Sequence, residues 1–326
     1  MGDLQPTAAP PTEGLEGTAG FRCSVAARAR GDQMVGTAPE ARRWLLVEQD
    51  AHWGRTTWEG LEVEAALAVE MQEHLESVNG RLQLIRRPGA RPDRTLATRR
   101  WCLVDVDWDR PVLWGTATTD AELLEAARLL GGPCPPEAVR PGSPGIVLVC
   151  THGRKDVCCA IHGRPVASSL AALWPEETWE TTHTGGDRFA ANVILLPDGA
   201  VYGGTDPGTA VADLSAHTDG RVDPTRLRGR CGEPQHVQVA QAVALQELGP
   251  LPWGAMSTRR EEAGAERWSV DLAVASGSSD APPRHLRVTG RFVTTEPHQL
   301  TCRAVALKPS THAVAEVVEE IEGELA

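Results

Sequence analysis

Short apolar runs alternate with amphipathic stretches along the 326 residues of the chain. Residues 42–49 (RRWLLVEQ) read as a buried strand. Apolar positions at Leu61, Ala65, Leu67, Ala68, Met71, Leu75 and Val78 recur at helical spacing and predict a helix over 61–78. Strands follow at 81–86, 100–106 and 111–114. A helix over 120–130 starts after Thr119, a capping residue type, and ends at Gly131-Gly132-Pro133. The same order then returns. A strand at 145–150 precedes a helix over 164–173 with Pro165 in its first turn, strands at 178–182, 189–196 and 200–203, and a helix near 208–216. Pro197-Asp198-Gly199 is a tight-turn sequence that makes the last two strands a hairpin. A helix over 235–248, strands at 268–274 and 285–293, a loop over 276–283 and a helical tail from Val314 to Leu325 complete the chain.

The recurrence implies an α/β protein in which one architectural unit occurs twice, without strong sequence identity between the copies. The divisions are a Pro-, Gly- and Ala-rich disordered tail over 1–20, a first unit over 21–140, a second over 141–230, and a helix plus small β accessory unit over 231–326. Each unit places a loop after its first strand, Asp50–Trp58 and Thr151–Gly163. Only the second loop holds cysteines, so the first is structural or forms one wall of the other's site.

A net charge of −12 argues against general nucleic-acid binding, which needs clustered Lys and Arg, and suits docking onto a basic patch of a partner. The arginines between Arg86 and Arg100 read as a solvated run or as a contact for an acidic partner. No apolar stretch reaches the length of a membrane span, and the N-terminus lacks the basic start and apolar middle of a signal peptide. A cytoplasmic protein is expected, in which disulfides are rare.

Three of the eight cysteines, Cys150, Cys158 and Cys159, fall within ten residues, which points to metal or redox chemistry. Cys23, Cys102, Cys134, Cys231 and Cys302 read as core thiols. Cys150 closes a hydrophobic strand, so its thiol emerges at the carboxyl end. Cys159 precedes a helix, where N-terminal amides and Arg154, Lys155 and Arg164 favour a thiolate. His183 ends another strand and is followed by Gly185-Gly186 and Asp187. Glycines allow the backbone to approach an inorganic centre and to adopt positive φ, and His183 and Asp187 across them can converge on that centre. Cys231 follows the basic Arg228-Gly229-Arg230, which reads as a solvated loop or as a site that lowers a thiol pKa or holds an anion.

The elements CTHG, CCA, HTGGDRFAAN and PDG, with Arg22-Cys23-Ser24, Gly36-Thr37-Ala38-Pro39 and Trp44-Leu45-Leu46-Val47-Glu48 upstream and Gln238 downstream, resemble the sucrase/ferredoxin-like family from about Cys23 to Ala242. The resemblance implies two tandem thioredoxin-like units, the second a ferredoxin domain with a [2Fe–2S] cluster. Cys150 and Cys159 match its thiolate ligands and His183 its first histidine, while Asp187 stands where the second histidine would be. A carboxylate there is hard and anionic and should lower the potential. Alternatively Cys158, His152 or His162 completes the set. Gly185, Gly186, Arg188 and Cys158 would line the cofactor. The implied function is one-electron transfer between a reductase and an acceptor enzyme, an electron carrier more than an enzyme. No carboxylate pair in a recognisable glycosidase context supports sucrase activity. A structural zinc site, or a clusterless thiol oxidoreductase or binding module that uses the vicinal Cys158–Cys159 pair, are the other readings.

Overall fold

The computed structural model describes residues 20–50, 52–90, 98–275 and 282–322; all but the last residue of the expected tail over 1–20 lies outside them. Helix α1 (Cys23–Arg30) comes first. In the first half, β1 (Arg43–Glu48) leads through α2 (Thr57–Leu61) and α3 (Ala65–Ser77) to β2 (Gly80–Arg86), then β3 (Arg99–Asp105), β4 (Val112–Ala117) and α4 (Asp120–Ala127). In the second, β5 (Ile146–Cys150) leads through α5 (Val157–Leu173) to β6 (Thr178–Thr181), then β7 (Val193–Leu196), β8 (Ala200–Tyr202), α6 (Pro207–Thr218) and β9 (Leu227–Arg230). Helix α7 (Gln235–Leu248) precedes β10 (Met256–Ala263), β11 (Arg267–Val274), β12 (Arg284–Thr294) and β13 (Thr311–Glu320). None of the described helices is long and apolar enough to cross a membrane.

The two halves repeat one strand plan. In the first, β1 is parallel to β2 and antiparallel to β3, which pairs with β4; in the second, β5 is parallel to β6 and antiparallel to β7, which pairs with β8. They join edge to edge where β2 and β6 run antiparallel, with Ile85 opposite Thr181 and Arg86 opposite Glu180. The result is one nine-stranded sheet in the order β4-β3-β1-β2-β6-β5-β7-β8-β9. Strand side chains alternate in direction. Leu45, Val47, Leu82 and Leu84 therefore pack with α3 and α4, and Val147, Val149, Val193 and Leu195 with α5 and α6. The alternate positions Trp44, Leu46, Ile85, Ile146, Leu148, Trp179 and Ile194 form one apolar layer that runs across both halves. A separate antiparallel sheet, β10-β11-β12-β13, packs on α7.

Most expected elements are present, and Thr119 caps α4 by accepting from Glu122 N. Four expectations need correction. The helix over 61–78 is two helices, broken at Glu62 with φ 55°, because an apolar period does not register a backbone reversal. The strand over 189–196 starts only at Val193, after a 3₁₀ turn at Asp187–Phe189. Helix α5 begins at Val157, not at Arg164, and Pro165 lies inside it; the Asp156 cap and the burial of Cys158, Cys159 and Val166 outweigh the one helical bond that Pro165 cannot make. The expected helical tail is strand β13, which pairs along β12 from Thr311 to Glu320; its β-branched Thr311, Val314, Val317 and Val318 favour a strand over a helix.

Arginines at the end of β2, just after it and in β3 work at the seam between the halves. Arg86 pairs with Glu180 at 2.7 Å, Arg87 lies 3.6 Å over the Trp179 ring and Arg100 4.3 Å over Trp114. The two indoles stack at 5.7 Å. Cation–π and ion-pair contacts thus occupy side chains that the sequence offered to an acidic partner.

Helix α5 crosses the end of β5 at Gly163, where an added Cβ would meet the Cys150 carbonyl oxygen at 2.1 Å. Gly163→Ala should therefore push α5 off the strand and cost about 1–3 kcal/mol in chemical denaturation; unchanged stability would refute this close approach.

Candidate metal centre

Cys150 ends β5, Cys159 lies in the first turn of α5, and His183 follows β6. One ligand atom from each lies within 4.8 Å of the other two. The parallel β5–α5–β6 unit produces this: the helix returns the chain so that β6 ends beside β5, with Cys150 opposite Thr181. Asp187 joins from the far side of the glycine loop. Its Oδ1 accepts from the Cys159 thiol at 3.2 Å and lies 2.8 Å from His183 Nδ1. That ring nitrogen is buried. Two thiols, an imidazole and a carboxylate are a donor set that suits a thiophilic metal centre. Both cysteines and Asp187 are buried, while 24% of the His183 side chain is exposed.

The backbone of His183 is fixed on both sides. Its N–H donates to His152 Nδ1 at 3.2 Å, and its carbonyl accepts from Arg81 at 2.8 Å and Gln83 at 3.2 Å on β2. His152 Nε2 in turn donates to the Gly54 carbonyl at 2.8 Å, in the loop of the first half. The tautomer follows from this chain of bonds, and both ring nitrogens are engaged. His152 is thus a positioning residue for His183, and in this arrangement it has no lone pair left for a metal.

The glycine loop rests on Arg228. Gly185 and Gly186 have φ of 91° and 73°, and a Cβ on Gly186 would lie 2.5 Å from the Arg228 guanidinium. Arg228 donates to the Gly185 carbonyl at 3.1 Å, Asn192 Oδ1 at 2.8 Å, Thr37 Oγ1 at 3.0 Å and the Thr37 carbonyl. Asn192 closes the loop by donating to the Gly186 carbonyl at 2.9 Å. The sequence read the Arg228–Arg230 stretch as a solvated loop; instead Arg228 is 1% exposed. Nor does it activate Cys231, whose pKa burial raises to about 12 against the pull of Arg81 and Arg228.

The charges are coupled. Hydrogen bonding from Cys159, with His183 beside it, holds the Cys150 thiol well below its ordinary pKa despite burial. The shared proton, burial and the nearby carboxylate push Cys159 well above its own. Burial opposes the His183 imidazolium, yet Asp187 and Cys150 overcome it and raise its pKa to about 9. Burial likewise works against the Asp187 carboxylate, and His183 overrides it to lower that pKa. Without metal the group is therefore a thiolate–imidazolium–carboxylate array.

Beside His183 opens a cleft of about 280 Å³, walled by Arg55, Trp58 and Arg81 of the first half and by Lys155 of the second. Residues 55–58, in the stretch after β1, thus form a wall of this cleft.

The remaining candidates lie elsewhere. Cys158, expected beside the same centre, turns its sulfur to a second group with Cys23, Asp156 and Cys302. Adjacent helical positions point about 100° apart, so neighbouring cysteines cannot face one centre. His162 Nε2 sits 3.1 Å from Ser24 Oγ, next to that second group. Arg188 points to Asp32, at 3.3 Å, rather than across the loop. Cys23 and Cys302, read as core thiols, belong to the second group. Nothing local marks them, since they meet Cys158 only across 135 and 144 residues of chain.

The fold and these side chains define an α/β protein with buried, cysteine-rich groups able to hold metal. The Sucrase/ferredoxin-like family model matches residues 34–229, and the chain belongs to that family. No curated protein and no solved structure matches it significantly.

The metal-free array has a testable pH signature. The raised His183 pKa contributes stability that is complete below 6.5 and lost as pH rises through about 9. The depressed Cys150 pKa contributes stability that is complete above 9.0 and lost as pH falls through its lowered value. Between the lowered Cys150 pKa and about 9 the two effects oppose each other, so the metal-free protein should show little net dependence of stability on pH there. In Cys150→Ser the imidazole keeps only Asp187 as its partner, and thermal unfolding should occur at lower temperature as pH rises above 6.5. Parallel profiles for the two proteins would contradict the pairing.

Proposed function

We propose that the chain is a [2Fe–2S] electron carrier whose second half is a thioredoxin-like ferredoxin domain, with the first half a thioredoxin-like unit that lacks a cluster. The observation that carries this reading is the convergence of Cys150, Cys159 and His183 within 4.8 Å, with Asp187 against two of them, inside the region matched by the family model. The repeated β–α–β plus hairpin plan supports the pair of thioredoxin-like units.

In this reading Cys150 and Cys159 supply two thiolates, His183 an imidazole nitrogen and Asp187 the fourth donor. When bound, the cluster supplies a one-electron couple. Two thiolates and a carboxylate leave the ligand set rich in negative charge. The guanidiniums of Arg81 and Arg228 offset it; both feel the charge of Cys150 through space, and they favour the reduced state. The cysteines and Asp187 lie away from water, while His183 reaches the cleft, so its exposed edge would be where a bound cluster meets a partner. Protonation of an imidazole at this place would couple proton to electron transfer. The donor would be a reductase and the acceptor an enzyme, each docking at the cleft.

One observation favours a second reading. A tetrahedral ion with bonds of about 2.0–2.3 Å separates its ligand atoms by about 3.3–3.8 Å, and three donors within 4.8 Å of each other fit a single zinc ion without the spreading that two irons would require.

Anaerobic purification, iron and sulfide assay and a visible spectrum decide between them. The expected result is a coloured protein with iron and acid-labile sulfide in equal amounts, bleached by dithionite, with both lost in Cys159→Ser. A colourless protein holding zinc at these residues, or one without metal, would overturn the cluster.

A further inference from the structure

We propose that Cys23, Cys158, Cys302 and Asp156 form a second metal site, for a zinc-class divalent ion, that fastens α1 and the C-terminal unit to the first turn of α5. The site stands independently of the cluster proposed above. The sulfurs of Cys158 and Cys302 lie 3.4 Å apart and those of Cys302 and Cys23 3.5 Å apart, and both Asp156 oxygens lie 3.6 Å from the Cys23 sulfur. All four ligand atoms fall within 4.8 Å of one another. Tetrahedral zinc–thiolate geometry, with bonds of about 2.3 Å, spaces sulfurs about 3.8 Å apart, so the ion enters with shifts of a few tenths of an ångström. A disulfide would draw two sulfurs to about 2.05 Å and leave the third unpaired.

The surroundings are built for negative charge. Cys23 is the first residue of α1 and Cys158 the second of α5, so two helix N-termini point at the group. The Cys23 N–H donates to the Cys302 sulfur at 3.4 Å, and the Ser24 hydroxyl to the Cys158 sulfur at 3.3 Å; such outer contacts orient and stabilise thiolate ligands. Asp156 is completely buried. Its partners are the N–H groups of Cys158 at 2.9 Å and Cys302 at 2.6 Å and the Cys23 thiol, none of them a cation. Each carboxylate oxygen accepts one of these N–H groups, and loss of the Cys23 proton on metal binding would leave each with a free lone pair. A divalent ion with three thiolates and this carboxylate carries the same net charge as a four-cysteine zinc site. All positions are then filled by protein, which makes the site structural rather than catalytic.

The test is zinc content of the full-length protein by mass spectrometry, with variants that separate the two groups of ligands. In Cys150→Ser/Cys159→Ser the expected content is one zinc per chain, and adding Cys23→Ser/Cys302→Ser to that variant should remove at least nine-tenths of it. Zinc retained in the fourfold variant, no zinc in Cys150→Ser/Cys159→Ser, or an intact mass showing a disulfide among the three cysteines would each overturn the site. Should the fourfold variant fail to fold, cadmium-113 NMR of the otherwise native chain gives the answer. Coupling of the metal to β-protons of Cys23, Cys158 and Cys302 supports the site, and its absence refutes it.

Discussion

The carboxylate of Asp156 fixes the geometry on which both cysteine groups depend. It caps α5 through the Cys158 N–H and binds the Cys302 N–H, so a single buried side chain sets the first helical turn and ties a loop of the C-terminal unit to it. From that turn Cys159 reaches Cys150 and His183 on one side, while Cys158 reaches Cys23 and Cys302 on the other. Burying a carboxylate is costly without hydrogen bonds. Removing these would release the helix start and both sets of sulfurs together.

The half without clustered cysteines acts as a scaffold for the half that has them. Its strand β2 supplies Arg81 and Gln83 to the His183 carbonyl, and its loop supplies the Gly54 carbonyl to His152. The seam itself is held by Arg86–Glu180 and by Arg87 and Arg100 on the stacked indoles of Trp179 and Trp114. From the other side Arg228, fully buried and bonded only to uncharged oxygens, holds the glycine loop in its positive-φ shape. This explains why two copies of one strand plan share a continuous sheet. The grouped side chains come from β5, α5 and the stretch after β6, and each of those is braced by the neighbouring unit or by β9.

The repeated strand order, the cap at Thr119 and the extent of α7 were legible because local period and capping chemistry carry them. The sequence also grouped Cys150, Cys159, His183 and Asp187, which lie within 38 residues of one another, and the fold brings these side chains together. The start of α5 was hidden because Pro165 looks like a first-turn residue until the Asp156 cap is seen. Strand β13 was misread because the spacing of its apolar residues was weighed above the strand preference of its valines. The roles of His152, Arg228, Cys23 and Cys302 depend on contacts between distant segments. Isolated residues of these types most often serve as surface or core positions, and only the folded chain distinguishes them.

The central claim is that sulfur and non-sulfur donors from these loops share one iron centre. Iron-edge X-ray absorption on anaerobically purified protein tests it directly. The account predicts a sulfur shell, a smaller nitrogen and oxygen shell that shrinks in His183→Ala, and a short iron–iron vector. Iron surrounded only by sulfur, or no bound iron at all, would contradict it.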